Sequence, residues 1–274
     1  IMKKNIFTLI LIALTLFPAA SIAQTKLKVT VTGDADSPTN VSIPKGYNFT
    51  GQIGSNTYTF VTNAAFNAVK SQFNNQYAFN EVHAYEGKLV NLTYRVDNKE
   101  EFQKFRIADP NVDTSTMLVR VRSSLTSNDY TTYTHFNNIL QVNDESKVYF
   151  LQENGNGQYE FYFGDGVLGY QPTTGQIVEL TYISTGGLEG NGAKTFSANS
   201  LIGGQSSILV ETISGFVKTI SGAEKETIDS IKFNALKFGQ LEAKPVTSLI
   251  SLLFASSMAK FGKHVLTEGL YAPG

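Results

Sequence analysis

The sequence predicts a mainly β protein with α segments (α+β): an antiparallel, hairpin-rich β domain followed by a C-terminal helical segment. Three observations point there. The aromatic residues are 19 Phe and 13 Tyr with no Trp, and 23 Gly accompany them, a composition of strands joined by turns. Short runs with a two-residue period recur from Lys26 to Thr212. Near Ser221 the pattern becomes helical.

The chain has 274 residues, enough to bury a substantial core. A net charge of −1 with 16% charged residues gives no electrostatic reason to expect nucleic acid or an anionic membrane as partner. Cysteine is absent, which excludes disulfides, thiolate nucleophiles and cysteine metal sites. His83, His135 and His264 are far apart in sequence and lack the paired spacing of metal ligands.

Residues 1–23 read as a signal-peptide-like segment. Met2, Lys3 and Lys4 form a basic head, and an apolar run over 6–17 follows, too short for a bilayer but suited to an h-region. Ser21 and Ala23 are the small residues of a cut before Gln24. Residues 24–215 read as the β-rich domain. Leu27, Val29 and Val31 alternate with Lys28, Thr30 and Thr32, and Gly33 with Asp36-Ser37-Pro38 ends that strand. "VSIPKGYNFTG" is two short strands around Pro44-Lys45-Gly46, and Tyr58 and Phe60 share a face of the next. Residues 63–73 are expected to form a short helix, because Ala64, Ala65, Ala68 and Val69 favour one.

Strand patterns resume in "AFNEVHAYEG", "KLVNLTYRVD" and "TMLVRVRSS". Arg120 and Arg122 alternate with Val119 and Val121 and read as a solvated face, since two arginines without interleaved aromatics make no basic binding stripe. "VYFLQE" and "QYEFYF" flank Asn154-Gly155-Asn156-Gly157, the strongest hairpin signal in the chain. In "QIVELTYIS", Val178, Leu180 and Tyr182 alternate with Glu179 and Thr181. "GGLEGNG" and a last strand, "SSILVET", complete the domain. A capping box, Ser221 with Glu224, then opens a helical segment over 221–262, with Ile228, Ile231 and Ala235 on one face and a tail over 263–274.

One stretch imitates a cofactor loop. In "FYFGDGVLGYQP", Gly164, Gly166 and Gly169 spell G-x-G-x-x-G, whose glycines bring backbone to a pyrophosphate where a helix begins. Tyr170 to Gly175 is turn chemistry containing Pro172, and a strand follows, so no helix is available to bind phosphate. Asp165 lacks the further oxygen ligands of a calcium loop. The expected role is structural: Gly164 and Gly166 supply positive φ around Asp165, whose carboxylate satisfies turn amides, with Gly169 and Gly175 as further turn residues. Glu153 and Glu160 lie on facing strands of the expected hairpin but read as outward residues rather than a glycosidase pair. No catalytic, cofactor-binding or metal-binding residue is expected, and the chain is not expected to be an enzyme.

Several of these stretches occur in a telling order: "VSIPKGYNFTG", "YTFVT", "YEGKLVNLTYRVDN", "FRIADPNVDTSTMLVRVRSS", "VYFLQENGNGQYEFYFGDGVLGYQPTTGQIVELTYISTGG" and "GAEKETIDSIKFNA". Together, from about Leu27 to Ala235, they resemble the baseplate wedge proteins of long contractile-tailed bacteriophages, in the baseplate J-like family. "FGDG", a strand and then "ISTGG" are the most specific part. The resemblance implies a virion structural subunit assembled in the host cytoplasm, a scaffold that binds other wedge subunits and copies of itself. It implies no small-molecule substrate, no nucleic acid and no membrane beyond the signal-like N-terminus. Leu236 stands where the family has proline, and 244–247 only half-matches it, which predicts a truncated or altered C-terminal part. The signal-like N-terminus favours the alternative expectation, an exported β-rich carbohydrate- or surface-binding module.

Overall fold

The computed structural model describes residues 22–97, 103–136, 142–154, 156–213, 218–220 and 222–223. Alternation does most of the local work. In β1 (Gln24–Thr32) Leu27, Val29 and Val31 are buried while Lys26, Lys28 and Thr32 face solvent. β2 (Asn40–Ile43), β3 (Asn48–Ile53), β4 (Asn56–Val61), β5 (Phe66–Val69) and β6 (Gln76–Glu86) follow by short connections. The chain then forms β7 (Lys88–Arg95), β8 (Phe105–Arg106), β9 (Val112–Arg122), β10 (Tyr130–His135), β11 (Val148–Glu153), β12 (Tyr159–Phe163) and β13 (Ile177–Ser184). β14 (Thr195–Ala198) and β15 (Ser207–Thr212) come last.

These strands make two large sheets that divide the chain in an unexpected way. One is six-stranded, in the order β14-β3-β4-β6-β1-β15, and the pair β2-β5 closes against its core. β14 also approaches β15, so the sheet curls toward a barrel. The other is seven-stranded, in the order β7-β13-β9-β10-β11-β12-β8. Its outer strands also meet, because the Tyr94 hydroxyl of β7 donates to the Arg106 carbonyl of β8 at 2.7 Å. Among the described strands β10 and β11 run parallel, and the other pairs are antiparallel. The seven-stranded unit spans 88–184 and is inserted between β6 and β14 of the six-stranded one.

Each unit has its own core. The outer, six-stranded unit packs Leu27, Val29, Val31, Val41, Ile43 and Val82 with Phe49, Phe60 and Tyr77. The inserted unit packs a chain of rings: Phe105 stacks on Phe161 at 5.1 Å between centroids, and Tyr133 meets Phe163 edge-on at 4.8 Å.

The hairpin expected around Asn154 is present, with Tyr149 opposite Phe163 and Glu153 opposite Tyr159. Two expectations are corrected. Residues 63–73 are not a helix: Phe66–Val69 pairs with β2 in the register Asn40↔Val69 to Ile43↔Phe66, burying Ala68. That pairing and burial outweigh the helix preference of the alanines, two of which are simply exposed. The α+β class is likewise replaced by an all-β, barrel-like architecture, since the described residues contain no helix and show no C-terminal helical segment. Residues 1–21 of the signal-like segment, the capping residues Ser221 and Glu224, and the stretch 224–274 lie outside the described residues.

Candidate assembly surfaces

The place where the inserted unit joins the outer one is built around a buried acid. In β6 the inward positions Val82 and Ala84 are followed, two residues on, by Glu86, which is buried as they are. Its Oε2 accepts the Thr185 hydroxyl at 2.7 Å and the Gly186 amide at 2.8 Å. Its own amide donates to the Ala23 carbonyl at 2.8 Å. One carboxylate thus ties the exit from the outer unit to the return strand's "TGG". Gly87 makes the crossing at φ 121°, where a Cβ would stand 2.1 Å from the Ser184 carbonyl oxygen. Only glycine tolerates both the dihedral and that approach.

Chain from both sides of the β domain returns to this junction. Ile22 packs with Val61 and Ile183, and Ala23 is fully buried. The Gln24 amide donates to the Ile220 carbonyl at 3.2 Å. Thr219 is buried and accepts the Ala193 amide at 2.8 Å, while Asn191 and Gly222 exchange hydrogen bonds of 2.7 and 2.9 Å. Ile22 and Ala23 therefore take part in the fold, although they fall within the signal-like segment that sequence alone assigns to 1–23.

The "FGDG" loop leaves β12 at Gly164. Asp165 Oδ1 accepts the amides of Val167 at 2.9 Å and Leu168 at 2.8 Å, and the Gly166 amide donates to the Gly169 carbonyl at 3.0 Å. Positive φ occurs at Gly166 (82°), Gly169 (87°) and Gly175 (95°) but not at Gly164, which instead lies against the Leu168-Gly169 backbone. The Gly169 amide donates to Asn143 and the Tyr170 amide to Ser146, at 2.9 and 2.8 Å. The loop is therefore fastened to the chain before β11 and exposes Val167 at its tip. Its amides are spent on the turn itself and on its neighbours, which is opposite to a phosphate cradle.

Other sequence candidates are dispersed. His83 Nε2 lies 2.9 Å from Glu81 on the surface. His135 tilts against Tyr149 at 5.4 Å, and burial holds its pKa below the usual histidine range. His264 lies outside the described residues. Glu160 is not outward: it is buried and pairs with Lys104 at 2.9 Å. Burial pushes its carboxyl up, but hydrogen bonds from Lys104 and Gln152 and the charges of Lys104 and Arg106 hold it below the carboxylate range. Among the described residues no group of three or more His, Cys, Asp and Glu is placed to hold a metal ion, and no helix is long and apolar enough to cross a membrane.

Surface chemistry is more suggestive of contact. Phe73 is fully exposed at the β5–β6 turn. That turn is held by Ser71 to Gln76 at 2.8 Å, Asn75 to Ser71 at 3.2 Å and Phe73 to the Ser71 hydroxyl at 3.3 Å. A ring displayed on a tightly bonded turn costs little further ordering when it docks. Leu125, Tyr130 and Leu201 are exposed elsewhere. Glu86 and Phe73 escaped the sequence reading. Glu86 has a local signal, an acid at the inward parity of an alternating strand, whereas Phe73 sits in what reads as a helix.

The class of protein follows from comparison with known families. Residues 91–201 match the family model of the bacteriophage baseplate wedge protein gp6, third domain. The match begins inside β7, covers the rest of the inserted unit and runs just past β14. A particular relative is baseplate wedge protein gp6 of Enterobacteria phage T4, 28% identical over 195 residues, which cover 65% of this chain and 28% of the relative. The resemblance drawn from the motifs is therefore shown: the middle of the chain is similar to a domain of a baseplate wedge protein. The chain spans less than a third of the length of the relative it matches.

Proposed function

We propose that this chain is a structural subunit of a phage tail baseplate wedge, located in the virion and acting by protein–protein assembly rather than by catalysis. The observation that carries the reading is the match of 91–201 to the wedge-protein third domain, which takes in nearly all of the inserted unit of the fold and β14 beyond it. Exposed, preorganised points such as Phe73 and Val167 supply surface for contacts with other wedge subunits and with copies of the chain itself. Immunogold electron microscopy of the phage particles tests this, using antibodies to the intact protein. Gold at the distal end of the tail is the expected result. Gold only on the head or along the sheath, or particles free of the chain, would remove the proposal.

A further inference from the structure

The sequence contains Asn-Gly three times, at Asn154, Asn156 and Asn191. This dipeptide carries its own chemistry. The glycine nitrogen attacks the asparagine side-chain carbonyl carbon, since glycine has no Cβ to hinder the approach or to restrict φ. Two freedoms are needed: the carboxamide must swing onto that nitrogen, and the glycine amide must leave its hydrogen bond. The fold grants them unequally.

Asn191 has neither. Its Nδ2 donates to the Gly222 carbonyl at 2.7 Å, and its Oδ1 accepts the Gly222 amide at 2.9 Å. The Gly192 amide donates at 3.0 Å to the carbonyl of Thr219, a fully buried residue. Asn154 is held by its side-chain oxygen, which accepts the Asn156 amide at 2.9 Å and the Gln158 amide at 3.1 Å. Asn156 differs from both. It is exposed in the β11–β12 turn, and its carboxamide makes no hydrogen bond among the described residues. Gly157 follows at φ 75°, and its amide donates to the Asn154 carbonyl at 3.0 Å, inside the same turn. Opening that bond disturbs only the hairpin tip, whereas freeing the Gly192 amide disturbs the buried junction.

We infer that Asn156 is a deamidation site, the Asn-Gly that the folded chain leaves open to self-modification while it protects Asn154 and Asn191. The Gly157 nitrogen gives up its proton to solvent and bonds to Asn156 Cγ. The side-chain nitrogen takes up a proton and departs as ammonia, leaving a five-membered succinimide. Water then opens one of the two ring carbonyls. One opening gives aspartate, and the other gives isoaspartate, with the backbone running through the former side chain. Water is the only co-reactant. Either product carries a carboxylate where Asn156 was neutral, so the hairpin tip gains a negative charge. Glu153 is close by, since a Cβ on Gly157 would stand 3.4 Å from its Oε1. The new charge therefore arises beside an existing one and loosens the turn through like-charge repulsion. This chemistry is independent of the assembly reading.

The test holds the intact folded chain in mildly alkaline buffer and samples it over time with a glutamate-specific protease. Fragment 154–160 carries Asn154 and Asn156, and fragment 190–211 carries Asn191. Fragmentation mass spectrometry then assigns each mass gain to its residue. Conversion at Asn156 should run about tenfold or more faster than at Asn154 or Asn191, because local opening is far easier at a hairpin tip than at a buried junction. The same chain unfolded in guanidinium should convert all three at similar rates. Asn156→Gln, a change at an exposed turn position, should remove the early product and leave the other two sites slow. An unreactive Asn156, equal rates at the three sites of the folded chain, or the same ranking in guanidinium would overturn the proposal. So would an early product that persists in Asn156→Gln.

Discussion

The outer and inserted units solve the same problem, closing a sheet around a core, with different materials. The outer core is largely aliphatic, and its buried tyrosines are fastened by their hydroxyls: Tyr47 donates to the Ser200 carbonyl and Tyr77 to the Pro38 carbonyl. The inserted core is a network of rings, with Phe161 touching Tyr94, Phe105, Tyr149 and Phe163. Their chain paths differ as well. The inserted unit is one continuous stretch, whereas the outer unit pairs β1 with β15 and β3 with β14 across the whole insertion. Continuity lets one unit be matched as a domain in its own right. The other is complete only when the insertion returns its ends to the same place, which is the task of Glu86 and Gly87.

The sharpest way to separate the two is to empty the centre of the ring network. Phe161→Ala removes a fully buried side chain and should destabilise the inserted unit by about 3–5 kcal/mol. Hydrogen exchange should show protection falling in β11, β12 and β13. Protection in β1 and β6 should change less. Equal loss in both units would show that they unfold as one, and the comparison would fail.

Glu86→Ala attacks the connection instead of either core. It removes the acceptor of the Thr185 hydroxyl and the Gly186 amide in a buried setting, a loss of about 1–3 kcal/mol. The expected signature is faster exchange at the Gly186 amide and earlier proteolytic cleavage in 185–190, with the two cores still protected. If exchange instead accelerates evenly through both cores, the junction is no separate element.

Much of the local structure was legible in the sequence, and the reasons are physical. β1 alternates cleanly because one of its faces is buried, β13 alternates from Val178 to Tyr182 between buried pairs at its ends, and the Asn-Gly pairs mark the β11–β12 hairpin. β5 was misread because two of its neighbouring alanines carry helix propensity while the pairing that decides the matter comes from β2. The insertion was invisible to any local pattern, since strands facing each other across it are more than a hundred residues apart. "FGDG" and "ISTGG" served as good identifiers for a structural reason: one fastens the end of β12 and the other receives the Glu86 carboxylate. The environments of the half-buried Arg120 and the buried Glu160 arise from tertiary neighbours that alternation does not reveal.

The smallest expected effect sharpens the comparison through pH. Asp113 on β9 is fully buried, and only its Oδ1 is served, by the Ser115 amide at 2.8 Å and the Ser115 hydroxyl at 2.6 Å. Oδ2 has no hydrogen-bond partner among the described residues. Burial therefore raises its pKa above the ordinary 3.8, against the lowering effect of the Ser115 and Thr116 hydrogen bonds. A carboxyl raised on folding holds more protons in the native state than in the unfolded one. Its contribution is intact below the unfolded pKa and fades as pH rises through the folded pKa. Glu160 in the same unit, and Glu81 in the outer one through its Lys26 and His83 hydrogen bonds, are lowered and act in the opposite sense. The wild-type profile mixes these terms, so the useful quantity is the difference between wild type and Asp113→Asn. The asparagine keeps the Oδ1 acceptor and never ionises, so its melting temperature relative to wild type should climb as pH rises above the ordinary carboxylate range and level off once the buried Asp113 has ionised. Because Asp113 belongs to the inserted unit, the gain should be read in the exchange of β9 and β13 before it is seen in β1. A flat difference as pH rises above that range would mean that Asp113 titrates as an ordinary carboxylate, with its second oxygen finding a donor in solution.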